Sequence, residues 1–205
     1  MYFWDHEKSH LNFLANGFDE FVRSMDASPP TCITHRSKSR DKLKCCIESH
    51  DNETLKALLD SGLRIDTPCG EFDDLPIEVA VQSKNQGAIT MLIGHGAVLN
   101  DESMFKFYVR KDVDAIKLSV LNGFNVNTYV NRIQAPLIFM AIYAGDADFL
   151  KWLLDHGADR ASKNEEGLSL FDAAYQCFLE EGRQRKHKAV MDCLRNEGLA
   201  NEVKL

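Results

Sequence analysis

The stretch Leu75-Pro76-Ile77-Glu78-Val79-Ala80-Val81, a polar break at residues 82–86, and Ala88-Ile89-Thr90-Met91-Leu92-Ile93-Gly94-His95-Gly96-Ala97 reads as two short helices closed by a glycine. Proline near the head of the first segment suits the first turn of a helix, where its missing N–H costs nothing. Ala80 is small enough to let that helix pack closely on its neighbours. The second segment has apolar residues at helical spacing and so carries one buried stripe. Gly96 supplies the left-handed backbone that ends a helix without a Cβ penalty.

The closing phrase recurs. Leu58-Leu59-Asp60-Ser61-Gly62, Leu121-Asn122-Gly123, Leu153-Leu154-Asp155-His156-Gly157-Ala158-Asp159 and Cys193-Leu194-Arg195-Asn196-Glu197-Gly198 each end an apolar helix in glycine. Gly62, Gly96, Gly123, Gly157 and Gly198 follow one another at 34, 27, 34 and 41 residues. A fixed period of this length marks an array of stacked units, each too small to bury its own apolar face.

These residues resemble the ankyrin repeat, whose pattern is T-P-L-H-x-A-A, a second helix, and L-L-x-x-G-A. Residues 75–97 match in register. A second match runs from Pro136-Leu137 through Met140-Ala141-Ile142-Tyr143-Ala144-Gly145 to Ala158, shifted by one residue at its start. Gly167-Leu168-Ser169-Leu170-Phe171-Asp172-Ala173-Ala174 is similar to a terminal repeat, and the first unit puts Cys46 and Ile47 where the double alanine is usual. The resemblance implies an all-α ankyrin-repeat solenoid with short finger hairpins. It covers residues 41–200 in five units, near 41–66, 67–100, 101–127, 128–161 and 162–200.

Two units depart from the period. The third is about six residues short. Its start lacks Pro and Gly, so no finger hairpin is expected, and Asp101 or Ser103 is expected to cap a helix directly after Asn100. The fifth is about eight residues long, with the surplus at 180–188, either extending helices or forming a basic loop. Ahead of the array, residues 1–40 form a separate region. Leu11, Leu14, Phe18, Phe21, Val22 and Met25 make one apolar stripe of an amphipathic helix, read as a cap on the exposed face of the first unit. Docking to a partner or a membrane surface is the other reading, and Asp19, Glu20 and Asp26 disfavour an anionic membrane. Pro29-Pro30 and the cations Arg36, Lys38 and Arg40 mark residues 27–40 as a linker.

Composition narrows the function. With 205 residues, 44% apolar and 27% charged, the chain is an ordinary globular one that needs no disulfide or metal to fold. A net charge of −7 argues against a nucleic-acid partner, whose phosphates require a basic surface. No apolar run is long enough to span a membrane, and the start does not read as a secretory signal. Six scattered cysteines, including the vicinal Cys45-Cys46, suit reduced thiols in the cytoplasm. Delivery into another cell by a specialised apparatus needs no such signal and remains compatible.

Chemistry has few anchors. His6-Glu7-Lys8-Ser9-His10 spells H-E-x-x-H, a zinc-hydrolase motif. Lys8 and Asn12 stand where that motif wants uncharged and apolar residues, and only five residues precede His6. It reads as an exposed polar helix face. Cys45 and Cys46 read as small core residues, and no Cys or His pair has zinc-ribbon spacing. Phosphate-loop and serine-nucleophile motifs are absent. His95 and His156 suit helix C-termini. The basic run Arg183, Arg185, Lys186, His187, Lys188 reads as a solvated loop face that could also meet phosphate or an acidic partner.

The expectation is therefore a non-enzymatic chain with no cofactor, no metal and no small-molecule substrate. The resemblance implies a concave binding face built from finger tips and the exposed side of each first helix. Carried onto this chain, the family's variable positions are Glu48, Gln82, Arg110, Tyr143 and Gln176, with Glu71, Phe72, Asp74, Tyr129, Asn131, Arg132, Glu165 and Glu166 at the finger tips. Aromatics and arginine dominate interface energetics. Acidic tips beside aromatics suit a protein partner with a basic patch. The roles open to such a chain are an adaptor or host-directed effector, an inhibitor or immunity-type protein blocking one enzyme or toxin, and, least favoured, an H-E-x-x-H zinc hydrolase.

Overall fold

The computed structural model describes residues 35–69, 73–180 and 182–199, with the backbone alone for 35–40. The amphipathic stripe of residues 11–25, the His6–His10 motif, Glu71 and Phe72 lie outside the described residues. Contacts divide the chain after Arg40.

Ten helices form five pairs among the described residues: α1 (His35–Glu48) and α2 (Asn52–Asp60), α3 (Pro76–Gln82) and α4 (Gln86–Gly94), α5 (Asp101–Val109) and α6 (Val113–Leu121), α7 (Ile138–Ala144) and α8 (Ala147–Asp155), α9 (Leu170–Leu179) and α10 (Gln184–Asn196). α1 starts inside the stretch read as a linker. Each pair packs on the next, with α2 against α4, α7 against α9 and α8 against α10. Ile47, Leu55, Ile77, Ile89, Phe107, Ile116, Phe139, Leu150 and Val190 form one continuous core along the array. None of the described helices is long and apolar enough to cross a membrane.

The recurring glycines do what their spacing predicts. Gly62, Gly96, Gly123, Gly157 and Gly198 all have positive φ, between 71° and 98°. At each site the glycine N–H bonds three residues back, and the following N–H bonds five back, as in Ala97 N to Leu92 O at 2.9 Å and Leu199 N to Leu194 O at 2.8 Å. This double closure satisfies the last helical carbonyls.

A second periodic device joins the helices inside each of the first four pairs. His50, Lys84, Lys111 and Gly145 have φ of 59°, 54°, 59° and 70°, and each precedes the residue that caps the second helix. Those caps are Asp51, Asn85, Asp112 and Asp146, whose side chains accept from the N–H of Thr54, Ala88, Ala115 and Phe149. A lone left-handed residue turns the chain, and a short acceptor beside it starts the next helix.

The fingers are uneven. The fourth unit has a hairpin, β1 (Tyr129–Val130) antiparallel to β2 (Ala135–Pro136), with Tyr129 opposite Pro136. The fifth has a single bridge between Lys163 and Ser169. In the third unit α5 follows Asn100 directly, as expected without a finger. Its cap is Asn100 itself rather than Asp101 or Ser103: the Asn100 side chain accepts from Ser103 N at 2.9 Å. The surplus of the fifth unit resolves in part as helix, with Arg183 in the turn just ahead of it. Residues 184–188 are the start of α10, so the basic run is not a loop. His187 within it is 2% exposed, and its Nε2 donates to Ile142 O at 2.9 Å. Of the vicinal pair, Cys46 is buried but Cys45 is exposed, so only one of them fills the core.

Without a finger of its own, the third unit braces the loop of the second with long side chains. Lys106 Nζ donates to Glu78 Oε2 at 2.8 Å and to Asp73 O at 3.0 Å. Arg110 Nη2 donates to both Asp74 oxygens at 2.8 and 3.0 Å. Glu78 also accepts from Leu75 N at 2.8 Å and Ser103 Oγ at 2.6 Å, and is 1% exposed. Three donors thus pair both oxygens of this buried carboxylate.

Candidate functional site

The expected binding positions fall into two groups. Asp74 and Arg110 of the second and third units, and Asn131 and Arg132 at the tip of the fourth finger, turn inward or onto a neighbour. Asp74 is buried and held by Arg110, so neither projects as a free tip. Asn131 Nδ2 donates to Asp101 Oδ2 at 2.7 Å, and Arg132 Nε donates to Glu102 Oε2 at 3.1 Å. Both finger residues are thereby tied back to the start of α5. Glu48 is exposed and lies 3.8 Å from Lys44, and Gln82 is half-buried.

In the fourth and fifth units the candidates converge. A cleft of about 260 Å³ gathers Tyr143 from α7, Glu166 from the fifth finger and Gln176 from α9 with Tyr108, Asn164, Glu180 and Arg183. The loop that carries Asn164, Glu165 and Glu166 is held twice. Glu165 N donates to Gln134 O of the fourth finger at 3.0 Å, and Asn164 Oδ1 accepts from Leu168 N at 2.9 Å. Asn164 Nδ2 then donates to the Tyr143 hydroxyl at 3.3 Å, which fixes the phenol at the cleft wall. The Tyr143 ring packs on Phe139 at 5.9 Å between centroids.

Burial pushes the Tyr143 phenol up, against the bond from Asn164, and the neighbouring Glu166 carboxylate adds to the rise. Burial raises Tyr108 likewise, partly offset by Arg183. Both phenols are neutral at physiological pH and offer a ring face and a hydroxyl. Arg183 lies 2.9 Å from Glu180. Glu165 and Glu166 are exposed and make no side-chain hydrogen bond or ion pair among the described residues. Tyr129 is 44% exposed on the adjoining hairpin, and Gln176 is exposed on α9.

This arrangement offers aromatic faces, amide and hydroxyl groups and two open carboxylates. It suits recognition of cationic or amide groups. Among the described residues no three His, Cys, Asp or Glu side chains come together as metal ligands do. Sequence reasoning missed Tyr108 and Asn164. The position carried over for the third unit was Arg110, which turns to Asp74. Tyr108, two residues before it, lines the cleft. Asn164 was legible only as a polar finger residue beside the chosen Glu165 and Glu166.

Residues 134–165 match the family model of the ankyrin repeat, a window that spans the fourth hairpin's return strand, α7, α8 and the start of the fifth finger. No curated protein matches the chain.

Proposed function

Taking the chain as an ankyrin-repeat protein, whose family generally mediates protein–protein contacts without catalysis, we propose that it binds a protein partner through the face of its fourth and fifth units, as an adaptor or host-directed effector. Tyr129, Tyr143, Glu165, Glu166 and Gln176 carry the contact. One observation supports this above the others: exposed carboxylates and aromatic rings converge on a cleft there, while Asp74 and Arg110 of the earlier units are spent on an internal ion pair, as Arg132 of the fourth finger is with Glu102. The open carboxylates favour a partner with a basic patch, whose encounter is steered by charge.

The test is affinity capture with the wild-type chain beside a Tyr129→Ala/Glu166→Lys variant, with folding followed by circular dichroism. A partner held by wild type and lost from the folded variant supports the reading, as does an on-rate that falls as salt rises. Equal capture by both refutes it.

A further inference from the structure

A larger hollow, of about 970 Å³, lies where the third, fourth and fifth units meet at the turns between their paired helices. Its floor is made of small groups, Ala144 and Gly145 at the end of α7 and Ala147 at the start of α8. One wall is apolar, with Val109, 60% exposed, Val113 and Ile116. The facing wall is the first turns of α10, through Arg185, Lys186 and Ala189.

Both departures from the regular period meet here. The surplus residues of the fifth unit lengthen α10 at its start, and buried His187 ties that start to the carbonyl of Ile142 on α7. The fit at the floor is close: a Cβ on Gly145 would stand 2.8 Å from Lys186 Cβ. The wall is therefore built onto the unit beneath it and is not a stray helix end.

Charge at the rim runs against that of the whole chain, whose net charge is −7. Lys111 on one side and Arg185 and Lys186 on the other have no side-chain hydrogen bond or ion pair among the described residues. Two carboxylates also line the hollow. Asp146 is occupied in capping α8 through Phe149 N at 2.9 Å, and Asp148 is exposed. Three open cations thus face one open carboxylate around an apolar, small-residue floor.

We propose that this hollow is a second docking site, for an acidic segment of a partner protein that inserts a large apolar side chain between Val109 and Ala189 and sets its carboxylates against Lys111, Arg185 and Lys186. The site adjoins the cleft of the fourth and fifth units, with Tyr108 lining both, and takes the opposite charge, so the two surfaces select different partner segments.

The test is selection of a random peptide display library on the immobilised full-length chain. The enriched sequences should combine Asp or Glu with Leu, Ile, Phe, Met or Trp. Their binding should weaken about tenfold or more in Arg185→Glu/Lys186→Glu and in Ala144→Trp, which fills the floor, and should weaken with salt. Tyr129→Ala/Glu166→Lys should leave it unchanged. Arg185 and Lys186 are exposed, so that pair reports even if the tryptophan variant fails to fold. Enrichment without acidic residues, or binding that survives the charge reversal in a folded variant, overturns the proposal. Self-association of the wild-type chain that Arg185→Glu/Lys186→Glu abolishes overturns it in favour of a second copy.

Discussion

Replacing Lys106 by methionine removes the cation from Glu78, a carboxylate paired with no other among the described residues. Glu78 is 1% exposed and its Oε2 stands 2.8 Å from Lys106 Nζ, while the lysine side chain keeps 22% of its surface. Methionine preserves the length and packing of the stem, so the loss is electrostatic. Breaking a buried ion pair on one side costs about 3–5 kcal/mol. Partial exposure of the ammonium screens it, and Glu78 keeps its bonds from Leu75 N and Ser103 Oγ. The expected loss is therefore about 2–3 kcal/mol. For a chain of this size that lowers the melting temperature by about 4–12 °C. Urea unfolding followed by circular dichroism gives the free energy. Glu78→Gln and the double variant complete a cycle, which should return a coupling of at least about 1 kcal/mol. A Lys106→Met protein within about 0.5 kcal/mol of wild type, or effects that simply add, would refute the reasoning.

Gly145→Ala forces a side chain into φ +70° and against Lys186 Cβ, and should cost about 2 kcal/mol or more by thermal melting. Asn100→Ala removes the cap of α5 and should cost about 1 kcal/mol, seen as a lower urea midpoint with unchanged slope. Peptide-level mass spectrometry of alkylation at pH 8 should find exposed Cys45 modified well before Cys69, which is buried and pushed up to about 11. Burial holds the Cys69 proton in the folded chain, so the native state binds protons more tightly there than the unfolded one. Stability should thus be intact below pH 9 and fall as pH rises toward 11. A flat profile across that window would contradict the burial of this thiol.

Much of the fold was legible before any coordinate. The glycine spacing locates five helix ends, because a left-handed closing residue is a local demand that few other residues meet. The missing third finger was also readable, since residues 98–103 hold no turn-forming glycine or proline, although the cap falls on Asn100 and not on the expected Asp101 or Ser103. The surplus of the fifth unit was readable in length but not in form.

The candidate site was legible as a set of positions and not as a surface. Asp74, Arg110, Asn131 and Arg132 look like free finger or groove residues in the chain, yet each is engaged by a partner 30 or 36 residues away, as Asp74 is by Arg110 and Asn131 by Asp101. The same holds for Glu78, buried at the family's histidine position, and for His187, taken out of a basic run to bond α7. Helix starts, ends and turns depend on neighbours within about five residues, and the linear order records them. Whether a charged side chain meets solvent or a counter-charge depends on which residue of the next unit stacks beside it. Stacking sets that distance in space, and a period with two irregular units does not encode it.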